Sequence, residues 1–240
     1  MGREVRIGTA GWTIPAAVRE RFPAEGSGLE RYAQRFSCVE INSTFYRPHR
    51  ASTYARWAAS VPDGFRFSLK LPKEITHVRR FVDALGAVEG FLSESEPLGE
   101  KRAVLLIQLP PSFAYDAGSS DAFFRGFRAR YGGALACEPR HPTWFGKEAE
   151  GALRAFEIAR VAADPARVPD AALPGGWDGF AYYRLHGSPQ MYASAYTRDA
   201  LVALAGELRA RPAPAWCVFD NTSRGAAAGD ALGLAELLRE

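Results

Sequence analysis

Hydrophobic and polar positions along this chain follow two rhythms. Eight short apolar runs, at residues 5–10, 38–43, 65–71, 103–109, 134–140, 160–164, 181–186 and 215–220, read as strands, because short runs bounded by turn residues suit buried strands. Between most of them lie segments whose apolar residues recur three and four apart, at 29–36, 52–60, 78–92, 121–131, 147–156, 198–209 and 226–238, the spacing of one helix face. Strands alternating with helices predict parallel βαβ units. Eight such units in 240 residues predict an α/β fold, a single (β/α)8 barrel of the TIM type rather than an open doubly wound sheet. The sixth unit is expected to be irregular, because PARVPDAALPGGWDGF at 165–180 is too rich in Pro and Gly for a full helix. No linker-like break divides residues 1–240, which read as one domain.

Alternation within a strand separates residues facing the barrel interior from those facing the helices. Val39 and Ile41 share one parity, and Glu40 and Asn42 the other. The same reading turns Arg66, Ser68 and Lys70 inward on the third strand, Gln108 on the fourth, and Glu138 and Arg140 on the fifth. It also turns Ala162 and Asp164 inward on the sixth, and Tyr182, Arg184 and His186 on the seventh. Polar inward residues thus gather at the C-terminal strand ends, where barrel enzymes keep their chemistry. Six strands contributing polar groups to one end exceeds what packing needs, since each buried charge requires a partner or solvent.

The loops after these strands add Tyr46, His77, His141 and Trp144, with Tyr192 and Tyr196 further on, as walls for a ring-shaped or extended ligand. Asn221-Thr222-Ser223-Arg224-Gly225 opens the last helix, where backbone N–H groups can hold a phosphate or Ser and Thr can simply cap. With Lys70, Arg140 and Arg184 nearby, an anionic ligand is expected.

Composition narrows the partners. Hydrophobic content of 47% and charged content of 24% are ordinary globular values. No apolar run approaches the roughly 18 residues of a membrane span, and the first residues lack a secretory h-region, so a cytoplasmic chain without membrane contact is expected. A net charge of +3 is too small to imply nucleic acid by itself. Cys38, Cys137 and Cys217 are odd in number, widely spaced and without a CxxC pair, which supports neither a disulfide framework nor a zinc knuckle.

GTAGW at 8–12, VEINSTFYR at 39–47, FSLKLPKEITH at 67–77, LIQLPPSF at 106–113, EPRHPTWF at 138–145, YYRLHG at 182–187 and FDNTSRGAAAGDA at 219–231 resemble the YecE-like family, catalogued as domain of unknown function 72. The resemblance runs along nearly the whole chain. It implies a TIM-type barrel and carries no settled reaction. The family pattern usually has Phe at Pro139 and Asn at Asp220.

Several chemistries can be weighed on these residues. Gln108 and His186 stand where a retaining glycosidase would carry its two carboxylates, which excludes that version. A Schiff-base lyase needs a desolvated lysine, and Lys70 would supply it unless it pairs with Glu40 or Glu138, the reading preferred from sequence. A divalent metal would find Glu138, Asp164, His186 and, if it turns inward, Asp220, but Lys70, Arg140 and Arg184 would repel it. The expected site is therefore metal-free and cofactor-free. Glu138 or Asp164 is the base and His186 the acid. Lys70, Arg140 and Arg184 clamp a phosphorylated sugar or nucleotide-like substrate, and Glu40, Asn42, Tyr46, Gln108, His141, Trp144, Asn221 and Thr222 contact it. Beside this one stand a metal-dependent phosphodiester-processing protein, analogous in fold to the xylose-isomerase-like barrels, and two further rivals. A nucleic-acid binder would use Arg19, Arg21, Arg47, Arg50, Arg79, Arg80 and Arg224 at the rim, and a non-catalytic sensor would bind a small ligand unchanged.

Overall fold

A computed structural model describes residues 4–240. Among the described residues there are ten strands: β1 (Val5–Thr9), β2 (Cys38–Ile41), β3 (Arg66–Lys70), β4 (Arg102–Gln108), β5 (Ala134–Glu138), β6 (Ile158–Arg160), β7 (Ala162–Asp164), β8 (Gly175–Gly176), β9 (Ala181–Leu185) and β10 (Ala215–Phe219). Seven α-helices accompany them: α1 (Gly28–Ala33), α2 (Ala51–Ala59), α3 (Leu85–Glu94), α4 (Ala117–Arg128), α5 (Lys147–Ala155), α6 (Arg198–Ala210) and α7 (Ala226–Leu237). The fold is mixed α/β. One sheet runs β1-β10-β9-β7 and the other β2-β3-β4-β5-β6-β8. All pairs are parallel except β6 with β8. No helix among the described residues is long and apolar enough to cross a membrane.

The two sheets meet at two places. At the first, a single parallel bridge links Ala10 to Glu40, and Gly11 N donates to Glu40 O at 2.8 Å. The Tyr32 hydroxyl fills the gap below, accepting from Thr9 N at 2.8 Å and donating to Cys38 O at 3.0 Å. Gly8 is what lets β1 and β2 come so close, since a Cβ there would overlap the Cys38 carbonyl. At the second, Val161 alone separates β6 from β7, and its N–H still bonds Cys137 O at 2.8 Å. The sixth unit holds no α-helix, only a short turn at Pro169–Ala172 and the two-residue β8.

Each helix forms where sequence period and caps agree. Ser27 and Glu30 make a reciprocal capping box on α1, and Asp116 caps α4 through Ser119 N at 2.8 Å. The segment expected to be helical over 78–92 starts late. Arg80, Phe81 and Asp83 take φ of 47°, 74° and 49°, which ends regular helix and swings Phe81 onto Phe123, with ring centroids 4.0 Å apart and stacked.

Packing divides into two clusters. The larger lies between strands and helices and holds Val39, Ile41, Phe67, Leu69, Tyr183 and Phe219. The smaller is enclosed by the strands and holds Cys38, Val104, Leu106, Ala136, Ala159, Val161, Tyr182, Trp216 and Val218. Parity therefore holds on β2 to β5 and β9. It slips by one on the sixth unit, where Ala159 and Val161 face in and Ala162 packs outward. A one-residue slip reverses every side chain, and nothing in a run of Ala and Val opposes it. All three cysteines are buried free thiols.

Candidate active site

The C-terminal ends of β2, β3, β4, β5, β9 and β10 converge on a buried polar cluster centred on Arg184. Its side chain is fully buried and spends its donors on three carboxylates. Nε and Nη2 donate to Glu40 at 3.0 and 2.7 Å, Nη1 to Glu138 at 2.5 Å, and Nη2 also to Asp220 at 2.9 Å. Tyr182 donates to Glu40 Oε2 at 2.8 Å and lies equally close to Ser68 Oγ. Such a network is tolerable in a low dielectric only because nearly every acceptor is met.

His186 caps the cluster. Its Nδ1 lies 3.1 Å from Asp220 Oδ2 and its Nε2 3.3 Å from Glu138 Oε1. Ionised carboxylates only accept, so a carboxylate on each ring nitrogen favours the doubly protonated imidazolium. Burial opposes that charge, but Glu138 and the bond to Asp220 outweigh it and raise the pKa. Glu138 also receives Arg140 Nε at 3.0 Å and Gln108 Nε2 at 3.4 Å. Against the cost of its burial, Arg184, His186 and Arg140 hold its pKa well below the ordinary range. Asp220 is lowered in the same way by Arg184 and His186.

Lys70 stands apart. It is only 8% exposed, yet among the described residues its ammonium has no hydrogen bond or ion pair. The Phe45 ring lies against it, with its centroid 4.0 Å from Nζ. Burial and then the Arg184 charge pull its pKa down to about 8, against the pull of Glu40, Glu138 and Asp220. The expected pairing of Lys70 with Glu40 or Glu138 is not made, because Arg184 and its neighbours have taken those oxygens. His77, stacked edge-on against Phe45 at 4.8 Å, reports the local field. Burial lowers its pKa to about 4, and Lys70, Arg140, Lys73 and Arg80 all push it the same way.

The other expected site residues divide. Asn42 reaches toward Asp220 at 3.5 Å, and its Oδ1 is buried without a partner among the described residues. Arg140 also touches the Tyr192 hydroxyl at 3.3 Å, and Tyr192 lies edge-on over His186 at 5.4 Å. Asp164 is a correction. The slip on the sixth unit turns it outward, where it accepts from Tyr196 at 2.6 Å. Trp144 is a second correction, since it is buried among Phe81, Phe113 and Phe124 and donates to Phe113 O at 2.8 Å. Asn221 is a third, locked to Asp230 at 2.6 Å and Ser194 O at 2.8 Å. His141 caps its own turn through Thr143 N, Tyr46 is 77% exposed, and Thr222 is exposed beside Asn221.

Asp220 is the residue the sequence left undecided. Trp216 and Val218 on one face of β10, and Cys217 and Phe219 on the other, are all apolar, so alternation gave no polarity to follow. The same slip removes the set Glu138, Asp164 and His186 as joint metal ligands. Among the described residues no group of three His, Cys, Asp or Glu side chains is placed to hold a metal. Of the arginines expected at the rim, Arg21 pairs with Glu236 near the far end of α7, Arg79 pairs with Glu74, and Arg80 bonds Ser112.

A mixed α/β chain with a buried ionic cluster at the ends of its parallel strands is the class these observations define. A family profile described as "Protein of unknown function DUF72" matches residues 6–240, and the chain belongs to that family. UPF0759 protein YecE of Escherichia coli (strain K12) is 30% identical over 147 residues, 61% of this chain and 52% of that protein. UPF0759 protein YunF of Bacillus subtilis (strain 168) is 25% identical over 149 residues, 59% of this chain and 52% of that protein. The chain thus spans about half the length of these relatives. A DUF72 family protein of Thermotoga maritima MSB8 superposes with a TM-score of 0.80 at 26% identity, covering 99% of this chain and 100% of that one. Another, of Enterococcus faecalis V583, has a TM-score of 0.81 at 19% identity over 98% of this chain and 96% of that one, a likeness of fold.

Proposed function

We propose that the two sheets form one closed TIM-type barrel in a single cytoplasmic domain, and that the chain is an enzyme acting on a small anionic substrate at the C-terminal strand ends by metal-free acid–base chemistry. The observation that carries this reading is the unpaired Lys70 ammonium. Glu40, Glu138 and Asp220 are balanced by Arg184, Arg140 and the His186 imidazolium. Lys70 is left over, beside a His77 whose pKa burial lowers first and Lys70, Arg140, Lys73 and Arg80 lower further. A buried cation without a counterion favours an anion arriving from solvent.

Roles follow from the same geometry. His186 already holds the proton an acid must give. Glu138 accepts from three cationic side chains and is too stabilised to be a strong base, so the base is Lys70, whose pKa of about 8 keeps it the stronger base while making the free amine accessible near neutral pH. Arg140 and Asn42 orient the substrate. The barrel bridge at Ala10 and Glu40, and the continuity through Val161, support the closed ring.

Thermal melts of the wild type and of Lys70→Ala across an inorganic phosphate titration test the anion site. A ligand at a hundred times its dissociation constant adds about 2.7 kcal/mol to the folded state. A phosphate-dependent rise in the wild type that is blunted in Lys70→Ala is the expected result. A wild type whose melting is indifferent to phosphate, and equally to pyruvate, would overturn the reading.

A further inference from the structure

We propose that Lys70 is a covalent nucleophile that forms an imine with the carbonyl carbon of a small oxo acid. This rests on the anion-site reading above and names the substrate class it serves. The Lys70 side chain is largely buried, its Nζ faces no carboxylate within ion-pair distance among the described residues, and that atom lies against an aromatic face at 4.0 Å. An ammonium kept for charge balance would be paired, as Arg184 and Arg140 are. The surroundings instead suit a neutral amine, since an apolar wall and neighbouring cations both disfavour the charged form. The choice of residue agrees: the chain has four lysines, Lys70, Lys73, Lys101 and Lys147, among 30 basic residues, and only lysine of the two types can give up its proton here.

The remaining groups fit the steps of imine formation. The amine lone pair forms the N–C bond while the carbonyl π pair moves onto oxygen, which takes a proton from His186. One of the amine's two hydrogens joins that oxygen, which leaves as water when the C–O bond breaks, and the other stays on nitrogen, so the iminium at residue 70 carries the positive charge that His186 gave up. No oxidant or reductant is consumed. The carboxylate of the oxo acid is received by Arg140, whose Nη1 has no hydrogen bond among the described residues. The resulting iminium is an electron sink for bond cleavage or deprotonation at the adjacent carbon.

The full chain is incubated with pyruvate or glyoxylate, reduced with cyanoborohydride and digested with trypsin. Reduction fixes the adduct and blocks cleavage after residue 70, so the label appears on the peptide 67–73. Labelling there is expected to be roughly tenfold or more faster than at Lys73, Lys101 and Lys147, in line with its more easily lost proton. It should be absent from residue 70 in Lys70→Arg and slowed by phosphate. Equal labelling of all four lysines, or none, overturns the covalent role. If phosphate or pyruvate still raises the melting temperature when no label forms, the anion site stands and only the imine falls. If neither label nor shift is seen, both fall.

Discussion

His186 Nε2 lies 3.3 Å from Glu138 Oε1, across the top of a cluster whose floor is Arg184. With Asp220 on the other ring nitrogen, the imidazole is clamped as a cation and cannot serve as a base without losing a partner. The clamp makes His186 a proton donor, while burial and the Arg184 charge bring the Lys70 ammonium down to a pKa of about 8, where it can lose its proton near neutral pH.

Asp220→Asn should weaken that clamp while keeping its shape. His186 has a raised folded pKa, so its stabilisation is full below its ordinary value of 6.5 and is lost as pH rises through the folded value. In the variant the folded pKa falls, and the loss occurs over a lower and narrower window. A proton NMR titration of His186, with urea unfolding at several pH values, measures both.

Lys70→Met should stabilise the fold at neutral pH by about 1–3 kcal/mol, because an unpaired buried ammonium is replaced by an apolar chain of similar length. The folded pKa of about 8 is below the ordinary 10.5, so the unfolded chain binds more protons between those values and wild-type stability climbs with pH across them. Denaturant melts from pH 7 to pH 10 should show that climb in the wild type and lose it in Lys70→Met.

Arg184→Met should cost about 3–5 kcal/mol, the usual penalty for stranding buried carboxylates. Adding Glu40→Gln to that variant should recover part of the loss, since one of the stranded charges is then removed. Chemical denaturation of both variants decides it, and an unchanged midpoint in Arg184→Met would contradict the central place given to that residue.

Gly8→Ala should loosen the junction between β1 and β2 at a cost of about 1–3 kcal/mol. The added methyl meets the Cys38 carbonyl, and the Tyr32 bridge beside it must lengthen. Hydrogen exchange at Thr9 and Gly11 should accelerate while the amides of β4 and β5 stay protected.

Much of the site was legible because strand alternation is strict where one face is polar. Glu40, Lys70, Gln108, Glu138, Arg184 and His186 all stand on the faces assigned to them. Alternation failed on the sixth unit and was silent on β10 because small or uniformly apolar residues suit either face. Trp144 and Asn221 depart from the sequence expectation for another reason. A loop position after a strand says that a residue is near the strand ends, but not whether it turns back into the helical layer, as Trp144 does toward Phe113, or anchors a helix, as Asn221 does through Asp230.

The order of strands and helices, the irregular sixth unit and the end of the molecule where charge collects are all readable along the chain. Those follow from local periodicity, Pro and Gly content and the period of two along a strand. Which charges neutralise one another is settled by the packing of distant strands. Arg184 reaches Glu40 across 144 positions of sequence and Glu138 across 46, and no local pattern encodes that choice. Because the guanidinium meets all three carboxylates, Lys70 is left with an aromatic ring in place of a counterion. The one group whose chemistry is open is thus set by the pairing of its distant neighbours.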